Sequence, residues 1–198
     1  MIVLDIETSG LDYYKCGIWQ IGALDFYNPE NQFFQDARID DEDIVHAKAL
    51  EITGKTEEEL RDRTKRPQRR LLENLFYWSK SVKNINFGCE NPQFDLSFIS
   101  IKSDKYGFKF PFPHRAFDLH STAQDRYLQI YGKFLIKDGK SDMGLTNILK
   151  FVGIEDNRGA HNALEDVKLE AEAFSRLYSG KNLITEYASF LIPEYLKK

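Results

Sequence analysis

Met1-Ile2-Val3-Leu4-Asp5-Ile6-Glu7-Thr8-Ser9-Gly10 is the stretch from which the rest of the chain is read. Ile2, Val3, Leu4 and Ile6 are strand formers, and Thr8, Ser9 and Gly10 end the run with turn chemistry. Successive side chains of a strand alternate faces, so Asp5 and Glu7 point the same way, roughly 6 to 7 Å apart along the chain. Two unpaired carboxylates this close resist ionising together, and a cation between them removes the conflict. The pattern points to a metal. Taken alone, an Asp-x-Glu also fits the solvated acidic face of a strand.

Working outward, Ile18 to Phe26 alternates apolar and polar residues as a second strand. Asn28-Pro29-Glu30-Asn31 reads as a turn and Phe33 to Ile39 as a third strand, which predicts an antiparallel meander. Tyr13 and Tyr14 follow the acidic pair, placed either to stack on a base or to pack over a strand end. Asp40 to Asp43 reads as a solvated turn before a helix over Ile44 to Glu51, and Thr56 with Glu59 has the form of a capping box.

Arg61 to Arg70 carries six basic residues and one Asp. Arg66, Arg69 and Arg70 are its candidates for phosphate contact, against the alternative of a solvated helix start at Pro67 with Leu71, Leu72, Leu75, Phe76 and Trp78 as the apolar side. Asn84 to Phe87 reads as a short strand ending at Gly88, after which Pro92 opens a helix with Asp95 in its first turn. That is the end of a parallel strand where open α/β sheets place ligands. Phe108, Phe110 and Phe112 read as core packing, and Arg115 to Leu119 as a strand. Helices follow over Ser121 to Phe134 and Met143 to Val152. His114 and His120 have no partner in this reading.

Asn162 is an N-cap with Glu165 three residues on, so the last long helix should run from Ala163 to Ser179 and stop at Gly180. His161 then lies just before the helix, and Asp166 projects from its second turn with Glu170 as a same-face neighbour. The domain is expected to span residues 1–180. A helical tail, 181–198, carries Leu183, Ile184, Tyr187, Phe190 and Leu191, suited either to its own domain or to the groove of a protein partner.

Composition bounds these readings. With 198 residues, 42% of them hydrophobic, one domain with a sizeable core is the default, and 15 Phe and 10 Tyr fill it or supply stacking surface. The net charge of −4 does not advertise a nucleic-acid binder, but active-site acids weigh on that sum. Cys16 and Cys89 lack metal-ligand spacing and suggest a reducing compartment. No stretch has the length or flanks of a membrane span or signal segment, so a soluble, cytoplasmic protein is expected.

Asp5-Ile6-Glu7-Thr8-Ser9-Gly10-Leu11, Asn91-Pro92-Gln93-Phe94-Asp95 and His161-Asn162-Ala163-Leu164-Glu165-Asp166 together resemble, in order, the three motifs of the DEDDh 3'-to-5' exonucleases, which include the proofreading subunit of bacterial replicases and ribonuclease T. Ala49 to Gly54 and the Asp118-Leu119 strand end also match. The resemblance covers Ile2 to Tyr178. Glu90 stands where many members carry His. The resemblance implies a ribonuclease-H-like α/β fold, its mixed sheet made of the three-strand meander and parallel strands, flanked by helices. It further implies two Mg²⁺ ions, with Mn²⁺ able to substitute, held by Asp5, Glu7, Asp95 and Asp166, and His161 as general base. Thr8, Ser9, Gly10, Leu11, Asn91 and Phe94 would receive the 3' end of single-stranded DNA or RNA. The alternative is an adaptor that keeps the fold and delivers nucleic-acid ends to a polymerase or repair partner.

Overall fold

The opening strand, β1 (Ile2–Thr8), lies at the centre of a five-stranded sheet. The computed structural model describes residues 1–159 and 162–197. β1 pairs antiparallel with β2 (Ile18–Asp25), which pairs antiparallel with β3 (Asn28–Asp36). On the other side β4 (Phe87–Cys89) and β5 (Ala116–Asp118) run parallel to β1, giving the order β3-β2-β1-β4-β5. The helices in chain order are α1 (Ala47–Thr53), α2 (Glu57–Leu60), α3 (Gln68–Ser79), α4 (Pro92–Tyr106), α5 (Leu119–Tyr131), α6 (Leu145–Val152) and α7 (Ala163–Ser179).

Strand alternation divides the core into two layers. Ile2, Leu4 and Ile6 of β1 pack with Leu71, Leu72 and Leu75 of α3 and Phe98 and Ile99 of α4. Val3 faces the other way, onto Ile148 and Leu149 of α6 and Val167 and Phe174 of α7. Asp5 and Glu7 share the parity of Val3, so the sheet presents both acids to the α7 side.

Four local expectations change. The β2–β3 turn is Phe26–Tyr27, with the Tyr27 N–H donating to Asp25 Oδ1 at 3.0 Å, and β3 begins at Asn28. Pro29 fits there because β3 is an edge strand, where a missing N–H costs no ladder bond. The helix expected from Ile44 begins at Ala47 instead, because Ile44 N–H donates to Lys15 O and His46 N–H to Ser9 O, which holds that segment extended. Asp43 is not a solvated turn residue. It is buried and salt-bridged to buried Lys102 at 2.7 Å, while Gln68 Nε2 donates to its other oxygen at 2.9 Å.

The tail also differs. Residues 181–197 form two short 3-10 turns, Thr185–Tyr187 and Glu194–Leu196, in place of one helix. Buried Glu172 accepts the N–H groups of Leu183 and Ile184, and buried Arg176 donates to the carbonyls of Tyr187 and Phe190. These two α7 side chains satisfy backbone groups that a helix would have paired internally. Leu183, Ile184, Tyr187 and Phe190 pack on the chain's own core, and Leu191 is exposed. Among the described residues no helix is long and apolar enough to cross a membrane.

Candidate active site

Two contacts seat the start of α7 on the sheet. Ala163 N–H donates to Gln20 Oε1 at 2.9 Å, and a Cβ on Gly22 would come within 2.5 Å of the Ala163 carbonyl oxygen. The helix approaches β2 that closely because Gly22 has no side chain. Asn162 caps it, accepting from Leu164 N–H at 3.1 Å and Glu165 N–H at 3.2 Å. Asp166, which falls in the first turn rather than the second, is thereby delivered to β1. Candidate ligand oxygens of Asp5, Glu7 and Asp166 all lie within 4.8 Å of one another.

Asp95 reaches the same place from another direction. β1 and β4 pair only at Ile2–Phe87 and Val3–Gly88. Beyond that α4 begins, after Asn91 in a left-handed conformation with φ 57° and Pro92 in the first turn. Asp95 Oδ1 accepts from Ile6 N–H at 3.2 Å, and its Oδ2 lies 3.5 Å from Cys89 Sγ. A fifth carboxylate, Glu170, stands one turn beyond Asp166. It is buried, its Oε1 accepts from Glu90 N–H at 3.0 Å, and among the described residues its Oε2 has no hydrogen-bond partner. Helical spacing from Asp166 was the sequence signal for it.

The electrostatics follow from crowding acids in a buried place. Burial, then the charge of Asp166 and Asp95, pushes the Glu7 carboxyl up to about 8. Burial raises Asp95 to about 7. Asp5 is raised well above the usual range by burial, then by Asp95, Glu170, Glu7 and Asp166. Such a set of hard oxygen donors, held together against its own repulsion, fits a divalent cation such as Mg²⁺ or Mn²⁺.

A cleft of about 360 Å³ adjoins Glu7, lined by Thr8, Gly10, Leu11, His46, Ile52 and Phe94 among others. Leu11 is 77% exposed and Ile52 48%, so apolar surface is left uncovered at its mouth. Ser9 is not part of it. Its buried hydroxyl donates to Ile44 O and accepts from Gly17 N–H, bracing the loop from behind. Gly10 lets the loop close, since a Cβ there would meet Cys16 Sγ at 2.7 Å and His46 Cγ at 2.9 Å. No local sequence pattern marks His46, whose place in the cleft wall depends on a fold-back of the chain.

Other candidates fall elsewhere. Asn91 is exposed at the α4 cap. Arg66 donates to Gln35 Oε1 at 2.6 Å, Arg69 lies 5.5 Å over the Phe108 ring, and Arg70 pairs with Glu73. α3, which carries Arg69 and Arg70, packs on the sheet face opposite Asp5 and Glu7, so the structure does not bring this cluster to the acids. His161 lies outside the described residues. Glu90 and His120 are partners, His120 Nδ1 standing 3.5 Å from Glu90 Oε1. Tyr14 is 70% exposed, while Tyr13 packs edge-on to Phe98 at 6.1 Å.

A mixed sheet whose central strand presents two acids to a helix bearing a third, with a fourth at the mouth of the parallel crossover, defines a nuclease of the ribonuclease-H-like class. The exonuclease family model RNase T matches residues 2–174, and the chain belongs to that family. It is a hydrolase, an exonuclease. The chain is similar to the 3'-5' DNA exonuclease Cap18 of Escherichia coli, 28% identical over 177 residues that cover 87% of this chain and 88% of the relative. In fold it is similar to the nuclease domain of 3'hExo, a DEDDh family member bound to rAMP, with a TM-score of 0.68 at 17% identity over 98% of this chain and 95% of that one. It is also similar to E. coli Exonuclease I in complex with a 5cy-dT13 oligonucleotide, with a TM-score of 0.69 at 20% identity. That match covers 87% of this chain and only 39% of Exonuclease I.

Proposed function

We propose that this exonuclease is metal-dependent, takes the 3' end of single-stranded DNA or RNA, and releases nucleoside 5'-monophosphates. The observation that carries the reading is the convergence of Asp5, Glu7 and Asp166 from two elements 161 positions apart, beside a cleft with exposed apolar walls. Asp5, Glu7 and Asp166 would hold one Mg²⁺, and Asp5 with Asp95 would serve a second. When bound, such a pair supplies an activated water and neutralises charge on the leaving 3' oxygen.

The chain's own groups do the rest. Leu11, Ile52 and Phe94 cover the terminal base with apolar surface, which Thr8 and the backbone at Gly10 orient. His161, one residue before the α7 cap, accepts the proton of the attacking water at its imidazole, a task suited to a pKa near 6.5. Because only neutral imidazole accepts that proton, turnover rises with pH through about 6.5. E. coli Exonuclease I is seen with a DNA oligonucleotide and 3'hExo with rAMP, and either sugar suits the reading.

Chromatography of the products of a digested oligonucleotide tests it. Nucleoside 5'-monophosphates, with the low-pH limb of the rate profile abolished in His161→Ala, are expected. Nucleoside 3'-monophosphates, or a His161→Ala variant with full rate and the same profile, would remove the mechanism.

A further inference from the structure

Arg158 lies on the acid centre although none of the motifs calls for it. Its Nη1 donates to Asp166 Oδ1 at 2.9 Å. The rest of the guanidinium is clamped. Nε donates to Asp156 Oδ1 at 2.8 Å, and Nη2 donates to Asp156 Oδ2 at 2.8 Å and to Thr146 Oγ1 at 3.1 Å. Thr146 Oγ1 in turn donates to Asp156 Oδ2 at 2.8 Å, which ties the assembly to α6. The Arg158 side chain is 16% exposed and that of Asp166 6%, so water and salt screen the contact weakly. A planar guanidinium gripped by a two-pronged carboxylate has a fixed orientation, and its remaining edge stays on Asp166.

Asp166 is also one of the three carboxylates that converge on β1. An oxygen with two lone pairs can accept an N–H and ligate a cation together, so geometry permits both. Charge opposes it: a fixed positive group on one ligand cancels part of the field that attracts a divalent ion. We propose that Arg158 is a positioning residue that sets the cation affinity of the centre. It neutralises Asp166 while no cation is bound and opposes the cation that arrives, so the centre loads at higher cation concentrations than its carboxylates alone would require. This rests on reading Asp5, Glu7 and Asp166 as a cation site and adds the residue that tunes it. Asp156 is the counterweight, because neutralising it leaves the guanidinium charge acting on Asp166 undiluted.

Calorimetric titration of the full chain with Mn²⁺ alone, without nucleic acid, tests the proposal. Arg158→Gln is expected to bind about ten-fold more tightly than the unaltered chain, and Asp156→Asn about three-fold or more weakly. Arg158→Lys, which keeps the charge and loses the fork, stays close to the unaltered chain. A clamp that only braces the loop would weaken binding in both Arg158→Gln and Asp156→Asn, and that result overturns the proposal, as does an unchanged affinity in Arg158→Gln. Cation-free thermal melts establish that each variant is folded. Asp5→Ala separates the two readings: if it binds Mn²⁺ like the unaltered chain, or if the unaltered chain binds none, the cation centre itself is lost and the tuning role with it. If Asp5→Ala abolishes binding while Arg158→Gln fails to tighten it, only the role of Arg158 falls.

Discussion

Asp95 Oδ1 accepts a hydrogen bond from the backbone N–H of Ile6 at 3.2 Å, joining residues 89 positions apart. Ile6 lies between the two acids of β1, beyond the point where β4 stops pairing with that strand. Asp95 therefore supplies the acceptor that the missing ladder would have given, and carries a charge into the centre. These two roles separate by substitution. Asp95→Asn keeps an acceptor and is expected to fold at least as stably without cation while losing about 100-fold or more in turnover. Asp95→Ala leaves Ile6 N–H buried without its partner and should in addition lose about 1–3 kcal/mol of stability. Equal melting temperatures for the two variants would show that the Ile6 bond contributes nothing.

Stability of the cation-free protein should fall as pH rises. Glu7 and Asp95 titrate in the folded chain near 8 and 7, above the ordinary values of 4.5 and 3.8. Between those ordinary and raised values the folded state binds more protons than the unfolded one, so the proton linkage disfavours folding with each step up in pH. Melting in EDTA from pH 5 to 8 reads this directly. Glu7→Gln is expected to flatten the slope and to raise the melting temperature at pH 8 by about 3–8 °C. A slope identical to that of the unaltered chain would mean that burial and the neighbouring acids do not raise the Glu7 carboxyl.

Lys102 and Asp43 form an ion pair with both side chains 2% exposed. Lys102→Met leaves the buried Asp43 carboxylate with only the more distant Lys105, at 3.8 Å, and should cost about 3 kcal/mol. The loop that Asp43 anchors carries His46 into the cleft, so activity should fall with stability. Lys102→Met/Asp43→Leu should recover much of the loss in a denaturant melt, whereas a double variant no better than the single would deny the pair its role.

The basic run tests the division of the sheet into two faces. Arg66, Arg69 and Arg70 engage Gln35, Phe108 and Glu73, and α3 packs away from the acids. Replacing all three with Gln should leave the salt dependence of oligonucleotide binding within about one unit of slope. A slope reduced by two or three would place phosphates on this face after all.

Features ruled by neighbours in the chain were legible before the fold was known. α7 runs from its Asn162 cap to Gly180 with φ 66°, and the Thr56–Glu59 capping box forms with both of its bonds. Strand alternation alone put Asp5 and Glu7 on one face. What sequence patterns missed depends on distant partners. Asp43 looked solvated because Lys102 lies 59 residues away, and His120 had no visible partner because Glu90 and Ser141, which face its two ring nitrogens, come from distant segments. The Arg61–Arg70 run showed the right residue types for phosphate, but the packing of α3 on the Ile2, Leu4 and Ile6 face of β1, away from Asp5 and Glu7, is a contact between distant segments.

Asp5 and a divalent cation together are expected to remove nucleotides from a 3' end. Single-stranded DNA and RNA of matched sequence, labelled at the 5' end, would be incubated with Mg²⁺, with Mn²⁺ and with EDTA, beside Asp5→Ala. A ladder descending one nucleotide at a time is expected on at least one strand, present with either cation and absent in EDTA and in Asp5→Ala. A ladder that persists in EDTA or in Asp5→Ala, or immediate release of the labelled 5' nucleotide, would contradict it.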